Sequence, residues 1–166
     1  MTLLLAAVGA TAAALFELSV GPYLRVGTTQ PHFVLILGVI VTIGVGLEAG
    51  LAWGFLGGLV LDVLAQRPLG STAFALLLCV GLAYAVSRIA TRLRPVITVP
   101  ATLVLSLLYS MTLFVTFNAL RATIPVADPV AATLPGAIYD AILAVLIGPL
   151  AIVIHDRRTE EERVDW

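Results

Sequence analysis

Apolar residues dominate this chain in six stretches, each closed by a short run of polar residues, proline or glycine. The first covers roughly 3–20 and stops at Gly21-Pro22, after which Tyr23 to Gln30 is polar. The second covers roughly 31–45, with Pro31 in the first turn, where a helix tolerates proline. The third covers roughly 48–65 and breaks at Gln66-Arg67-Pro68. The fourth covers roughly 70–89 and is closed by Arg88, Arg92, Arg94 and Pro95. The fifth covers roughly 96–120, disturbed at Pro100, and ends before Ile124-Pro125 and Asp128-Pro129. The sixth covers roughly 134–154, with a kink expected at Pro149. Stretches of this length with so few charges read as membrane-spanning helices. Only Gly44 to Leu47 separates the second from the third, which favours a tight hairpin, with one long broken helix as the alternative.

Within the third stretch, Gly46, Gly50, Gly54, Gly58 and Asp62 recur at every fourth residue. Residues four apart lie nearly above one another on a helix, so this row is a groove without side chains that ends in a carboxylate. In water each glycine would cost the helix about 1 kcal/mol relative to alanine. In a bilayer the same spacing allows two backbones to approach closely. The row, with Phe55 beside it, is a candidate packing groove, either for a partner's helix or for a neighbour within the chain.

Composition narrows the class. The 166 residues are 60% hydrophobic and 11% charged, with a mean hydropathy of +1.09, whereas soluble domains carry about 25% charged residues. The expected fold is an all-α polytopic membrane protein, a bundle of six transmembrane helices forming one domain over 1–155. A short charged tail over 156–166 follows, expected in the cytoplasm. Met1 to Val8 has no basic flank, so the first stretch reads as part of the bundle rather than a secretion signal. The net charge of −1 gives no basic surface for nucleic acid. The single Cys79 lies in an apolar stretch, and no disulfide is expected.

All nine basic residues are arginine, and their placement sets the expected orientation. With the N-terminus inside, Arg88, Arg92, Arg94, Arg157, Arg158 and Arg163 are cytoplasmic, against Arg25, Arg67 and Arg121 outside. Six against three follows the positive-inside rule and puts both termini in the cytoplasm. Ionisable groups within spans are costly unless paired or hydrated. Glu48 suits the start of the third helix as an interfacial cap. Glu17, Asp62 and Asp140 fall in the outer half of the bilayer in this topology, together with Asn118, Arg67 and Arg121. This outer polar layer is expected to be an ion-paired network that fixes helix register, or a pocket that binds a ligand or a partner segment.

No catalytic constellation is visible. His32 and His155 fall at opposite membrane faces and cannot share a metal. Ser71, Ser87, Ser106 and Ser110 have no recognisable base partner, and no Gly-rich loop with a lysine opens a helix. No cofactor, metal or enzymatic activity is expected.

The stretch Glu48-Ala-Gly-Leu-Ala-Trp-Gly-Phe55-Leu-Gly-Gly58-Leu-Val-Leu-Asp62, followed by Pro68-Leu-Gly70, resembles the rod shape-determining protein MreD family. That family shows Gly-Phe-x-x-Gly-Leu-x-x-Asp and then a Leu-Gly turn, here Gly54, Phe55, Gly58, Leu59, Asp62, Leu69 and Gly70. Pro31-His32 stands where the family reads Pro-Asp. Leu134-Pro135 and Tyr139-Asp140 are similar to its Leu-Pro and Tyr-Asn, with Asp140 replacing the amide.

The resemblance implies a non-enzymatic membrane scaffold of the bacterial cell-elongation (Rod) complex, in the cytoplasmic membrane. Its implied partner is MreC, and indirectly RodA, the elongation penicillin-binding transpeptidase and MreB, all within membrane lipid. It also implies a fold similar to the S-component of energy-coupling-factor transporters. The alternative function is therefore a substrate-binding subunit of a small-molecule transporter. For that role Ala6, Ala10 and Ala14 would form the surface that meets the energy-coupling subunit.

Overall fold

The computed structural model describes residues 2–25, 29–89, 94–120, 130 and 133–148. It is all-helical: α1 (Thr2–Val20), continued by a short 3-10 turn (Gly21–Leu24), α2 (Phe33–Gly44), α3 (Leu47–Leu64), α4 (Ser71–Ile89), α5 (Arg94–Ala119) and α6 (Thr133–Gly148). The six expected stretches become these six helices. Among the described residues four segments are long and apolar enough to cross a membrane, namely Thr2–Leu24, Leu47–Leu64, Ser71–Ile89 and Val99–Ala119. Pro149, Arg92, Arg121 and the tail over 156–166 lie outside the described residues.

At 1.5 Å per residue, the 12 residues of α2 span only about 18 Å. Its reason for being short is its position. Nine of its residues are buried, and a helix apolar on every side belongs at the centre of a bundle. Val34, Leu35, Val39 and Ile43 join the core made with α1, α3, α4 and α5. Ile36 and Ile40 pack against Ala144 of α6.

The second and third stretches form a hairpin, not one broken helix. Thr42 lies opposite Gly50, and Gly38 opposite Trp53. The Trp53 Nε1–H donates to the Val34 carbonyl at 3.0 Å. The turn requires Gly46, whose φ of 130° suits glycine and few other residues. Gly46 therefore sits ahead of α3, and it leaves the four-residue row as a turn glycine instead of a groove position.

The rest of the row is occupied by the chain itself. Gly58 meets the backbone of Ala73 on α4, Gly54 meets Leu76 and Val80, and Gly50 meets Thr42 and Val80. Phe55 points elsewhere and is half exposed. On another face of α3, Gly57 lies against Ala10 and Val34, and the Trp53 ring wedges between Gly9 and Gly38. Ala10 is buried in this contact with α1, and Ala6 and Ala14 on the same helix are buried as well.

Candidate functional site

The start of α2 is the centre of the site. A helix leaves its first backbone N–H groups without internal partners, and α2 has no side-chain cap of its own. Two carboxylates from other helices supply the acceptors. Glu17 of α1 takes the Val34 N–H at 2.8 Å through Oε2. Asp140 of α6 takes the His32 N–H at 2.9 Å through Oδ1. Negative charge is also favoured there by the helix dipole.

Asp140 does more than cap. Its Oδ2 lies 2.8 Å from His32 Nδ1 and accepts the Ser106 Oγ–H of α5 at 2.5 Å. The imidazole stacks edge-on against Tyr109 of α5, with ring centroids 5.2 Å apart. The Arg67 guanidinium faces the Tyr109 hydroxyl and is close enough to act electrostatically on Glu17 and His32. His32 belongs to the link ahead of α2, outside every helix. Burial pushes its imidazole down from the usual 6.5, but the hydrogen bond and charge of Asp140, aided by Glu17, outweigh that and hold it above the usual value.

Asp62 performs the same task for α4. Its Oδ2 accepts the Gly70 N–H at 2.8 Å, while Oδ1 accepts the Thr72 N–H at 3.0 Å and the Ser71 hydroxyl at 3.1 Å. Arg67 donates to the Thr72 hydroxyl at 3.4 Å in the same turn. Glu17, Asp62 and Asp140 are all buried. Among the described residues no buried side-chain nitrogen or oxygen lacks a hydrogen-bond partner.

The expected polar layer is thus assembled in part. Glu17, Arg67 and Asp140 come together around the start of α2, and Asp62 sits beside them at the α3–α4 turn. Among the described residues these carboxylates bond chiefly to backbone N–H and hydroxyl donors at two helix starts, and Asp140 also pairs with His32. Asn118 does not join them. It is exposed near the end of α5, 12 residues beyond Ser106, or about 18 Å along the helix. Arg121 lies outside the described residues. Glu48 is exposed in the first turn of α3.

Sequence reasoning missed His32, Ser106, Tyr109, Ser71 and Thr72 as members of the site. One signal was present for α2. Pro31-His32 opens an apolar run without the Ser, Thr, Asp or Asn that ordinarily caps a helix, so the cap had to come from elsewhere in the chain.

The chemistry of this arrangement is structural. Ser106, Asp140 and His32 are linked, but the carboxylate is in the middle. Nucleophile activation needs the imidazole between hydroxyl and carboxylate. Among the described residues, no group of three His, Cys, Asp or Glu side chains is placed to hold a metal ion. The described apolar groove, lined by Thr2, Leu5, Ala6, Val41, Val45 and Ala49, is at the opposite end of α2.

Fold and site together define a multi-pass helical membrane protein whose buried carboxylates organise helix starts. The family model for the rod shape-determining protein MreD matches residues 1–155. The chain belongs to the MreD family, a structural family of rod shape determination not known for enzymatic activity. No curated protein and no solved structure matches it.

Proposed function

We propose that this protein is a non-enzymatic scaffold subunit of the Rod complex in the bacterial cytoplasmic membrane. In this reading it binds MreC, and through it helps regulate peptidoglycan synthesis by RodA and its penicillin-binding transpeptidase alongside MreB. Both termini face the cytoplasm, and the single domain over 1–155 has a helix arrangement similar to that of S-components. The observation that carries the reading is the family match over nearly the whole chain. The site supports it, because its carboxylates hold helices in place instead of presenting free acceptors to a ligand.

Gly50, Gly54 and Gly58 are covered by α2 and α4, so in this reading the partner's helix meets an outward face, where the motif residues Phe55 and Leu69 are exposed. The transporter alternative loses a support, since Ala6, Ala10 and Ala14 are all buried and Ala10 is taken up by the contact with Gly57 of α3.

The test is co-purification in mild detergent with the MreC-type protein of the same organism, followed by mass spectrometry. A stoichiometric complex is expected. Recovery of a bound small molecule or an energy-coupling subunit, with no MreC, would overturn the scaffold reading.

A further inference from the structure

The charges around the start of α2 do not balance without a bound proton. Glu17 comes from α1 and Asp140 from α6, and both are buried. Arg67, from the α3–α4 turn, is the one permanent cation facing them among the described residues. Tyr109 of α5 brings a neutral hydroxyl, and Asp62 adds a further negative charge that is bonded to the start of α4. Unpaired charge in a buried site is costly. A proton on one of the carboxyl groups would remove one negative charge, whereas His32 is the group here that can supply a second positive one. It touches Asp140 through both its backbone N–H and Nδ1. Its side chain is 21% exposed while that of Asp140 is fully buried, so His32 is the member of the pair that reaches the surface of the bundle.

We propose that His32 and Asp140 form a proton-operated latch that clamps the link over 29–32 and the start of α2 onto α5 and α6. With the imidazolium formed, the pair is ionic, and Ser106 adds a further hydrogen bond to Asp140 Oδ2. When the proton leaves, Asp140 keeps its hydrogen bonds but becomes an uncompensated buried anion beside Glu17. The clamp then weakens. The folded chain holds this proton more tightly than the unfolded chain. The latch's stabilisation is therefore complete below the ordinary histidine value and is lost as pH rises through the folded one. The inference is independent of which partner the protein binds.

Two measurements on the full chain in detergent test it. In a His155→Gln background, His32 is the remaining histidine, and the NMR signal of labelled histidine follows its titration. The expected result is a proton held to higher pH than in a free histidine, with release at lower pH in Asp140→Asn. A His32 signal that titrates at or below the free value in the otherwise unmodified chain overturns the proposal, even if Asp140→Asn does not fold. The second measurement is the melting temperature from about pH 6 to about pH 9, where histidine loses its charge. It is expected to fall by a few degrees. His32→Asn keeps an N–H donor near the Nδ1 position without the charge, and its profile is expected to be flat. A His32→Asn profile as steep as the unmodified one also overturns the latch.

Discussion

Replacing Gly58 by alanine adds one methyl group to the tightest crossing in the bundle. That methyl falls 2.6 Å from the backbone nitrogen of Ala73 and closer still to its Cα. The obstacle is backbone, so no side-chain rotation relieves it, and α3 and α4 must separate. Overpacking costs about 1–3 kcal/mol, and a backbone clash belongs at the upper end. Alanine returns at most about 1 kcal/mol of helix propensity, which leaves about 2 kcal/mol of destabilisation. For a chain of this size that is about 4–8 °C in melting temperature. Gly54→Ala is the control. Its methyl lies 3.3 Å from Val80 Cγ2 and 3.5 Å from Leu76, a contact a side chain can relieve, and its melting point is expected within about 2 °C of the unmodified protein. The single cysteine provides the assay. Cys79 on α4 is fully buried, with Sγ 3.4 Å from the Leu105 carbonyl. A thiol-reactive fluorogenic dye therefore reports the temperature at which α4 leaves the core. Equal melting points for Gly58→Ala and Gly54→Ala would show that α3 and α4 do not approach closely enough at Gly58 to exclude a methyl group.

Two further substitutions test the capping carboxylates. Asp62→Ala strands the Gly70 and Thr72 N–H groups and is expected to cost about 1–2 kcal/mol, whereas Asp62→Asn retains an acceptor and loses less; equal melting points for the two would show that acceptance by Asp62 is not what holds α4. Glu17→Gln keeps an oxygen for Val34 N–H and is expected to be milder than Glu17→Ala, which leaves a buried donor unpaired at about 1–3 kcal/mol. A Gln variant as damaged as the Ala variant would assign Glu17 to charge rather than capping.

Helix positions were legible because membrane spans follow from apolar length, and Pro and Gly breaks set their ends. The structure moves those ends by only a few residues where both are described. The α2–α3 hairpin was the favoured form from the short break over Gly44 to Leu47, but the dihedral at Gly46 that makes its turn was not legible. The glycine row was readable as a packing stripe, but nothing in a four-residue spacing says whether the facing helix is α4 or another protein. For the site, the cost of burying charge singled out Glu17, Asp62 and Asp140. Their partners stayed hidden because most are backbone N–H groups, which every residue except proline has. The Asp140–His32 contact also joins positions 108 residues apart.

That contact connects two departures from the pattern the chain otherwise resembles. The pattern has an acid after Pro31 and an amide after Tyr139, whereas this chain has His32 and Asp140. The two positions lie across a 2.8 Å contact, with a single acid, Asp140, serving the pair. His32→Asp alone would set two carboxylates against each other in a buried site, where like charges cannot both ionise cheaply. Asp140→Asn alone would remove the anion that His32 faces. Together, His32→Asp and Asp140→Asn recreate one acid and one amide with positions exchanged. Each single change is expected to lower the melting temperature, and the double change to recover much of the loss. The coupling between contacting residues is commonly about 0.5–3 kcal/mol. Additive losses in the double variant would show that the two positions do not act as a unit, and the swapped-acid explanation would fall.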